Sequence, residues 1–177
     1  MRKKVFALAG LAGLWFIGAA LPAPARAAAA EPKLLGIYGD WLAKSVAENG
    51  TTLCYMSSVP SSVSAGVDGR SATGAMITHA AGGGARDQVS IALGFSPRKG
   101  TGVSLRIGKR SYTLQKIQGD RAWASSNSLD RQIVAAMKKA DWMTVQATSA
   151  GGTKAQDKYS LSGFAKAYSK ISRACGM

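Results

Sequence analysis

The strongest constraint on this chain is the cadence of its turn signals. Asn49-Gly50, Gly82-Gly83-Gly84, Pro97 to Gly100, Gly108-Lys109, Gly119-Asp120 and Gly151-Gly152 cut it into short pieces. Most of those pieces alternate apolar and polar residues, the period of a strand with one face buried. Val89, Ile91, Leu93 and Phe95 share one face of residues 88–95, and Val103, Leu105 and Ile107 alternate against Ser104 and Arg106. Asn-Gly fits a two-residue type I′ turn, because both central residues take φ > 0. It predicts a hairpin of residues 41–48 and 51–59. Further strands are predicted over 75–79, 110–117, 121–124, 142–148 and 155–161, while Ser61 to Ser71 reads as a Ser/Gly-rich loop. About eight strands, mostly linked by hairpins, make antiparallel sheet closed as a sandwich or a barrel.

Two segments carry helical spacing instead. Residues 128–140 place Leu129, Ile133, Val134, Met137 and Ala140 on one side. Asn127 or Ser128 suits the N-cap, Asp130 the positive end and Lys138-Lys139 the negative end. Residues 162–174 place Phe164, Ala167, Tyr168 and Ile171 on a stripe that continues to Cys175. The expected class is therefore all-β with minor α: an antiparallel β-sandwich or barrel with two short helices.

The start of the chain reads as an address. Arg2, Lys3 and Lys4 precede an uncharged run from Val5 to Leu21, and Pro22-Ala23-Pro24-Ala25-Arg26-Ala27 ends in a small-x-small pattern. This is the form of a cleaved signal peptide, with cleavage after Ala27 and Ala29 or Ala30 as alternatives. The apolar run of 17 residues is at the lower edge for spanning a bilayer, and the prolines stop its helix. The first cysteine is Cys54, so lipoprotein processing is not expected. Residues 1–27 are thus assigned to the signal peptide. Residues 28–177 are assigned to one secreted β-rich domain with its ordered core over about 34–175.

Charge must be counted after that cut. The whole chain holds 23 Lys+Arg against 9 Asp+Glu, but Arg2, Lys3, Lys4 and Arg26 leave with the signal, so the remainder carries net +10. An exported chain does not meet cellular nucleic acid. The expected counter-surfaces are anionic envelope polymers, lipid head groups or host glycans. Arg98, Lys99, Arg106, Lys109 and Arg110, on neighbouring turns, form the expected anion-binding patch. The competing reading makes the charge a solubility property, since basic residues never exceed two in a row after Lys4.

An oxidising compartment and a cysteine count of two point to a Cys54–Cys175 disulfide. It would tie the last helix to the sheet. Closing a loop of about 120 residues contributes roughly 4–5 kcal/mol in the chain-entropy account.

Catalytic chemistry finds few residues to work with. His79 is the only histidine, and no nucleophile stands near it in sequence, so it reads as a hydrogen-bonded structural residue. Ser96-Pro97-Arg98-Lys99 has S-x-x-K spacing but falls in a turn and lacks the partner motifs of acylating enzymes. The triple glycine precedes no G-K-[ST], and the acids are scattered singly. Neither a metal nor a cofactor is expected. Among the aromatics, Trp41 and Trp142 are expected in the core. Trp123, beside a turn, is the expected exposed one.

The order of several motifs is specific. Gly39-Asp40-Trp41 is followed by Cys54-Tyr55-Met56-Ser57-Ser58-Val59-Pro60, Asp87-Gln88-Val89-Ser90, Gly119-Asp120-Arg121-Ala122-Trp123-Ala124 and the run from Asp130 to Lys138. Asp157-Lys158-Tyr159-Ser160-Leu161-Ser162-Gly163-Phe164 then leads to Ala174-Cys175. From about Tyr38 to Cys175 the chain resembles the invasion-associated locus B family of exported alphaproteobacterial proteins. That resemblance implies a periplasmic or surface-exposed β-rich domain. The founding member is linked to entry of a pathogen into host red cells. It carries over the Cys54–Cys175 pair and no catalytic residue. Several members have a cysteine soon after Gly-Asp-Trp; this chain has Lys44-Ser45. Three functional readings result: a non-catalytic envelope protein engaging an anionic surface, a small periplasmic inhibitor or chaperone-like partner of another envelope protein, and an envelope hydrolase built from residues distant in sequence.

Overall fold

A computed structural model describes residues 30–177 apart from Ala65. The expected signal peptide and its expected cleavage after Ala27 lie outside the described residues. The strands are β1 (Lys33–Tyr38), β2 (Trp41–Glu48), β3 (Thr51–Ser58), β4 (Ser62–Val63), β5 (Gly74–Ala80), β6 (Gln88–Ala92), β7 (Val103–Ile107), β8 (Arg110–Leu114), β9 (Lys116–Gln118), β10 (Arg121–Trp123), β11 (Trp142–Thr148) and β12 (Lys154–Ser160). The helices are α1 (Asn127–Met137) and α2 (Phe164–Ala174).

The strands divide into two sheets, ordered β1-β2-β3-β5-β6-β10-β9 and β4-β12-β11-β7-β8, and every strand pairing is antiparallel. Each sheet keeps two free edges, which selects the sandwich over the barrel. The Asn49-Gly50 turn takes φ of 50° and 77°, both positive as the type I′ hairpin requires, and registers Glu48 against Thr51.

Several boundaries differ from the sequence expectation. The predicted strand over 110–117 is two strands. β8 belongs to the five-stranded sheet and β9 to the seven-stranded one, so the chain changes sheets at Gln115. β1 lies in a segment to which no element was assigned, and β4 in the segment predicted as loop. Both are edge strands paired on one side only, where burial leaves no clean alternation to read. The N-cap of α1 is Ser126, whose hydroxyl accepts from Leu129 N–H, rather than Asn127 or Ser128.

The two sheets bury their inner faces against each other. Met56, Ile77 and Ile91 meet Val103, Leu105, Leu114, Met143, Val145 and Tyr159 in one core. Helix α2 covers the β1–β3 end with Phe164, Ala167 and Ile171. Trp41 meets Phe164 edge-on at 4.9 Å, and its indole N–H donates to Ser160 O at 3.1 Å, joining β2 to β12. The helix starts where two backbones nearly touch. Gly163 has φ of 82°, and a Cβ there would stand 2.0 Å from Tyr38 O. The Cys54–Cys175 disulfide closes the other end of α2 onto β3, across a separation of 121 residues.

One buried ion pair ties the long connection after β4 to both sheets. Arg70 donates from Nη1 to Asp157 Oδ1 on β12 at 2.8 Å and from Nη2 to Oδ2. Its Nε donates to Leu93 O, just past β6, at 2.8 Å. This bidentate geometry satisfies both partners out of water.

Candidate functional site

The hairpin of β7 and β8 positions three of the five cations predicted as a patch. Ile107 registers with Arg110, so Gly108-Lys109 forms its tip, and Gly108 has φ of 56°. Arg106 precedes the tip on the outward side of β7 and is exposed, as are Lys109 and Arg110. Arg98 and Lys99 are also exposed but sit elsewhere. Arg98 N–H donates to Thr148 O at 2.7 Å, and Pro97 bridges to Ser149. That is the Val103 end of the hairpin, a strand length of roughly 13 Å from its tip. The structure therefore places Lys109 and Arg110 at the hairpin tip and Arg106 on the outward face of β7 beside it, and leaves Arg98 and Lys99 at the opposite end.

A cation the spacing did not assign to the patch joins at the tip. Lys139, just past the C-terminus of α1, lines a depression of about 260 Å³ with Lys109 and Arg110. Its other walls are Ile107, Ala135, Ala136 and Ala140, and no acidic residue lines it. Helix packing explains the meeting. Ile133, Val134 and Met137 bury α1 against the core, and that turns its last residues toward the hairpin tip. The helix C-terminus also carries partial negative charge that favours cations there.

The outward face of the five-stranded sheet extends the same chemistry. Arg106, Thr144 and Lys158 stand in register across β7, β11 and β12. Trp142 stands on this face and not in the core, with 44% of its surface exposed. The cause is strand period: Met143, Val145 and Ala147 point inward, so Trp142 points out. Lys158 Nζ lies 4.0 Å from its ring centroid. Trp41 is fully buried as expected, and Trp123 is half-buried.

Ion pairing leaves most cations unsatisfied. Among the described residues, the ion pairs within 4.0 Å are Arg70–Asp157, His79–Asp87 and Arg86–Asp87. Arg98, Lys99, Arg106, Lys109, Arg110 and Lys139 take part in none of them.

His79 gathers groups that sequence distance concealed. It is fully buried on β5, with Ser172 of α2 and Asp87 around it. Its Nδ1 accepts the Asp87 backbone N–H at 3.1 Å, so the ring proton sits on Nε2 and points at Ser172 Oγ, 3.1 Å away. A nucleophilic serine needs the reverse, with Nε2 free to take its proton. Asp87 Oδ1 lies 4.0 Å from Nδ1 and accepts Tyr168 O–H at 2.7 Å. Lys138 Nζ caps the Tyr168 ring at 3.4 Å. Burial lowers the His79 pKa, with the Asp87 charge opposing. The arrangement locks α2 to the sheet beside the disulfide.

Among the described residues, no group of three His, Cys, Asp or Glu side chains could hold a metal ion. No described helix is long and apolar enough to cross a membrane.

A family model described as "Invasion associated locus B (IalB) protein" matches residues 41–172. No curated protein and no solved structure matches the chain.

Proposed function

Because the chain belongs to the invasion-associated locus B family, we propose that it is an exported, non-catalytic envelope protein. Its cations hold it against a surface of repeated phosphate or carboxylate groups. The observation that carries this reading is the convergence of Lys109, Arg110 and Lys139, distant in sequence, on one depression with no carboxylate in its walls. Two features support it. The neighbouring Arg106 and Lys158 extend positive charge along the sheet face. The inverted hydrogen bonding of Ser172, His79 and Asp87 favours a structural over a catalytic role for the one histidine.

The test is sedimentation with vesicles of an anionic phospholipid, vesicles of a neutral one, and a soluble polyuronate. Retention on the anionic vesicles alone identifies lipid head groups. Retention by the polyuronate identifies an anionic polymer. Either binding should collapse as the Debye length shrinks from about 10 Å to about 3 Å with added salt. Binding to neutral vesicles, or binding indifferent to salt, contradicts the reading.

A second reading, docking onto another envelope protein, has one specific observation behind it. Ile37, Leu42, Ser57, Met76, Ser90 and Trp123 stand in register across the outward face of the seven-stranded sheet. Ile37 and Leu34 on its edge strand are 69% and 53% exposed. This reading predicts that Ile37→Lys removes a crosslinked complex in the periplasm that substitution of Lys109, Arg110 and Lys139 leaves intact.

A further inference from the structure

A cleft lies away from those cations, where edge strand β9 meets the first turn of α1. Its volume is about 580 Å³, a size suited to small ligands. Four elements, β6, β9, β10 and α1, build it. Trp123 of β10 forms a half-buried indole wall, paired in register with Lys116 of β9. Gln88 opens β6, and Gln115 sits where the chain passes between sheets. Asn127 and Asp130 come from the first turn of α1.

Asp130 is the unexpected member. The sequence places it at the exposed positive end of a helix, yet it is 5% exposed. Its Oδ1 accepts Val89 N–H at 2.9 Å, a strand donor left over where β10 stops pairing with β6 at Trp123. No protein hydrogen bond described here reaches Oδ2. Desolvation raises its pKa, against the pull of the Val89 N–H. A buried carboxyl with a spare oxygen in a cleft is a recurrent mark of a binding site.

The rest of the lining specifies the ligand class. Gln88, Gln115 and Asn127 each offer both a donor and an acceptor, the pairing that sugar hydroxyls require. The indole face offers an apolar platform for the C–H face of a pyranose ring. The charges largely offset one another, since Lys116 acts on Asp130 and Arg86 lies 4.0 Å from Asp87. We propose that this cleft binds a neutral saccharide, one ring stacked on Trp123 and its hydroxyls held by Gln88, Gln115, Asn127 and Asp130.

This inference is independent of the charge-held surface and is tested apart from it. The purified protein is titrated calorimetrically with three neutral probes: triacetylchitotriose, cellotriose and maltotriose. At least one should bind, with the same affinity in about 0.05 M and about 0.5 M salt, because no net charge is exchanged. Trp123→Ala should weaken it at least about tenfold. Gln115→Ala and Asn127→Ala, both at exposed positions, should each weaken it about fivefold, the value of one lost hydrogen bond. Trp142→Ala, on the other sheet, should leave it unchanged. The proposal is overturned if none of the three probes binds, if Gln115→Ala and Asn127→Ala both bind as the unsubstituted protein does, or if Trp142→Ala abolishes binding.

Discussion

Two buried residues carry more of this fold than their numbers suggest. Arg70 and Asp157 are 11% and 2% exposed, so removing one strands the other's charge out of water. Arg70→Ala should cost about 3–5 kcal/mol in urea unfolding, the range for breaking a buried pair. His79 sets an acid limit. Its folded pKa lies below the unfolded value of about 6.5, so the unfolded chain binds the extra proton as pH falls. Its contribution is complete above that value and is lost as pH drops below it. The melting temperature should therefore fall between about pH 7 and about pH 5. Ser172→Ala should cost about 1 kcal/mol at neutral pH by leaving the Nε2 proton unpaired. None of these partnerships was legible in the sequence. Asp87, His79, Asp130 and Ser172 look like scattered polar residues until β5, β6, α1 and α2 bring them together.

At the scale of elements, the sequence was most readable where turn chemistry and alternation agreed. The Asn49-Gly50 hairpin, β5, β7, β11 and β12 sit where their patterns put them. The disulfide follows from the cysteine count and compartment. Substituting both Cys54 and Cys175 with Ser should cost roughly 4–5 kcal/mol, read as a lower urea midpoint with a steeper slope, because the freed unfolded chain exposes more surface. Reading failed at sheet edges and sheet changes. Lys33–Tyr38 is only partly covered, so its sequence carries little of the alternation that marks buried strands. Arg110–Gln118 looks continuous because nothing local records that Gln115 is where the chain leaves one sheet for the other. Trp142 was expected in the core, although the alternation of its own strand points it outward. Gly163 is a sharper case. Its left-handed φ and the 2.0 Å approach of Tyr38 O leave no room for a methyl group. Gly163→Ala should unseat the start of α2 and destabilise the protein by more than about 3 kcal/mol, beyond the ordinary range for point substitutions.

At the scale of the whole molecule, the question is what the net +10 of residues 28–177 accomplishes. Three of the nine acids, Asp87, Asp130 and Asp157, are buried with partners and so unavailable to the surface cations. Apart from Arg70 and Arg86, the described Lys and Arg side chains take part in none of the ion pairs above, and some of them gather at one hairpin tip. The predicted five-residue patch was half legible. Arg106, Lys109 and Arg110 follow from strand and turn spacing, but Lys139 arrives through helix packing and Arg98-Lys99 leaves through sheet register. The most direct measurement is vesicle sedimentation across a salt series for the unsubstituted protein and for a Lys109→Gln, Arg110→Gln, Lys139→Gln variant. Each cation near an anionic surface is worth about 1 kcal/mol, so the variant should bind roughly a hundredfold more weakly and respond less to salt. A variant that binds with the same affinity and the same salt dependence would show that the hairpin tip does not hold the protein to its surface.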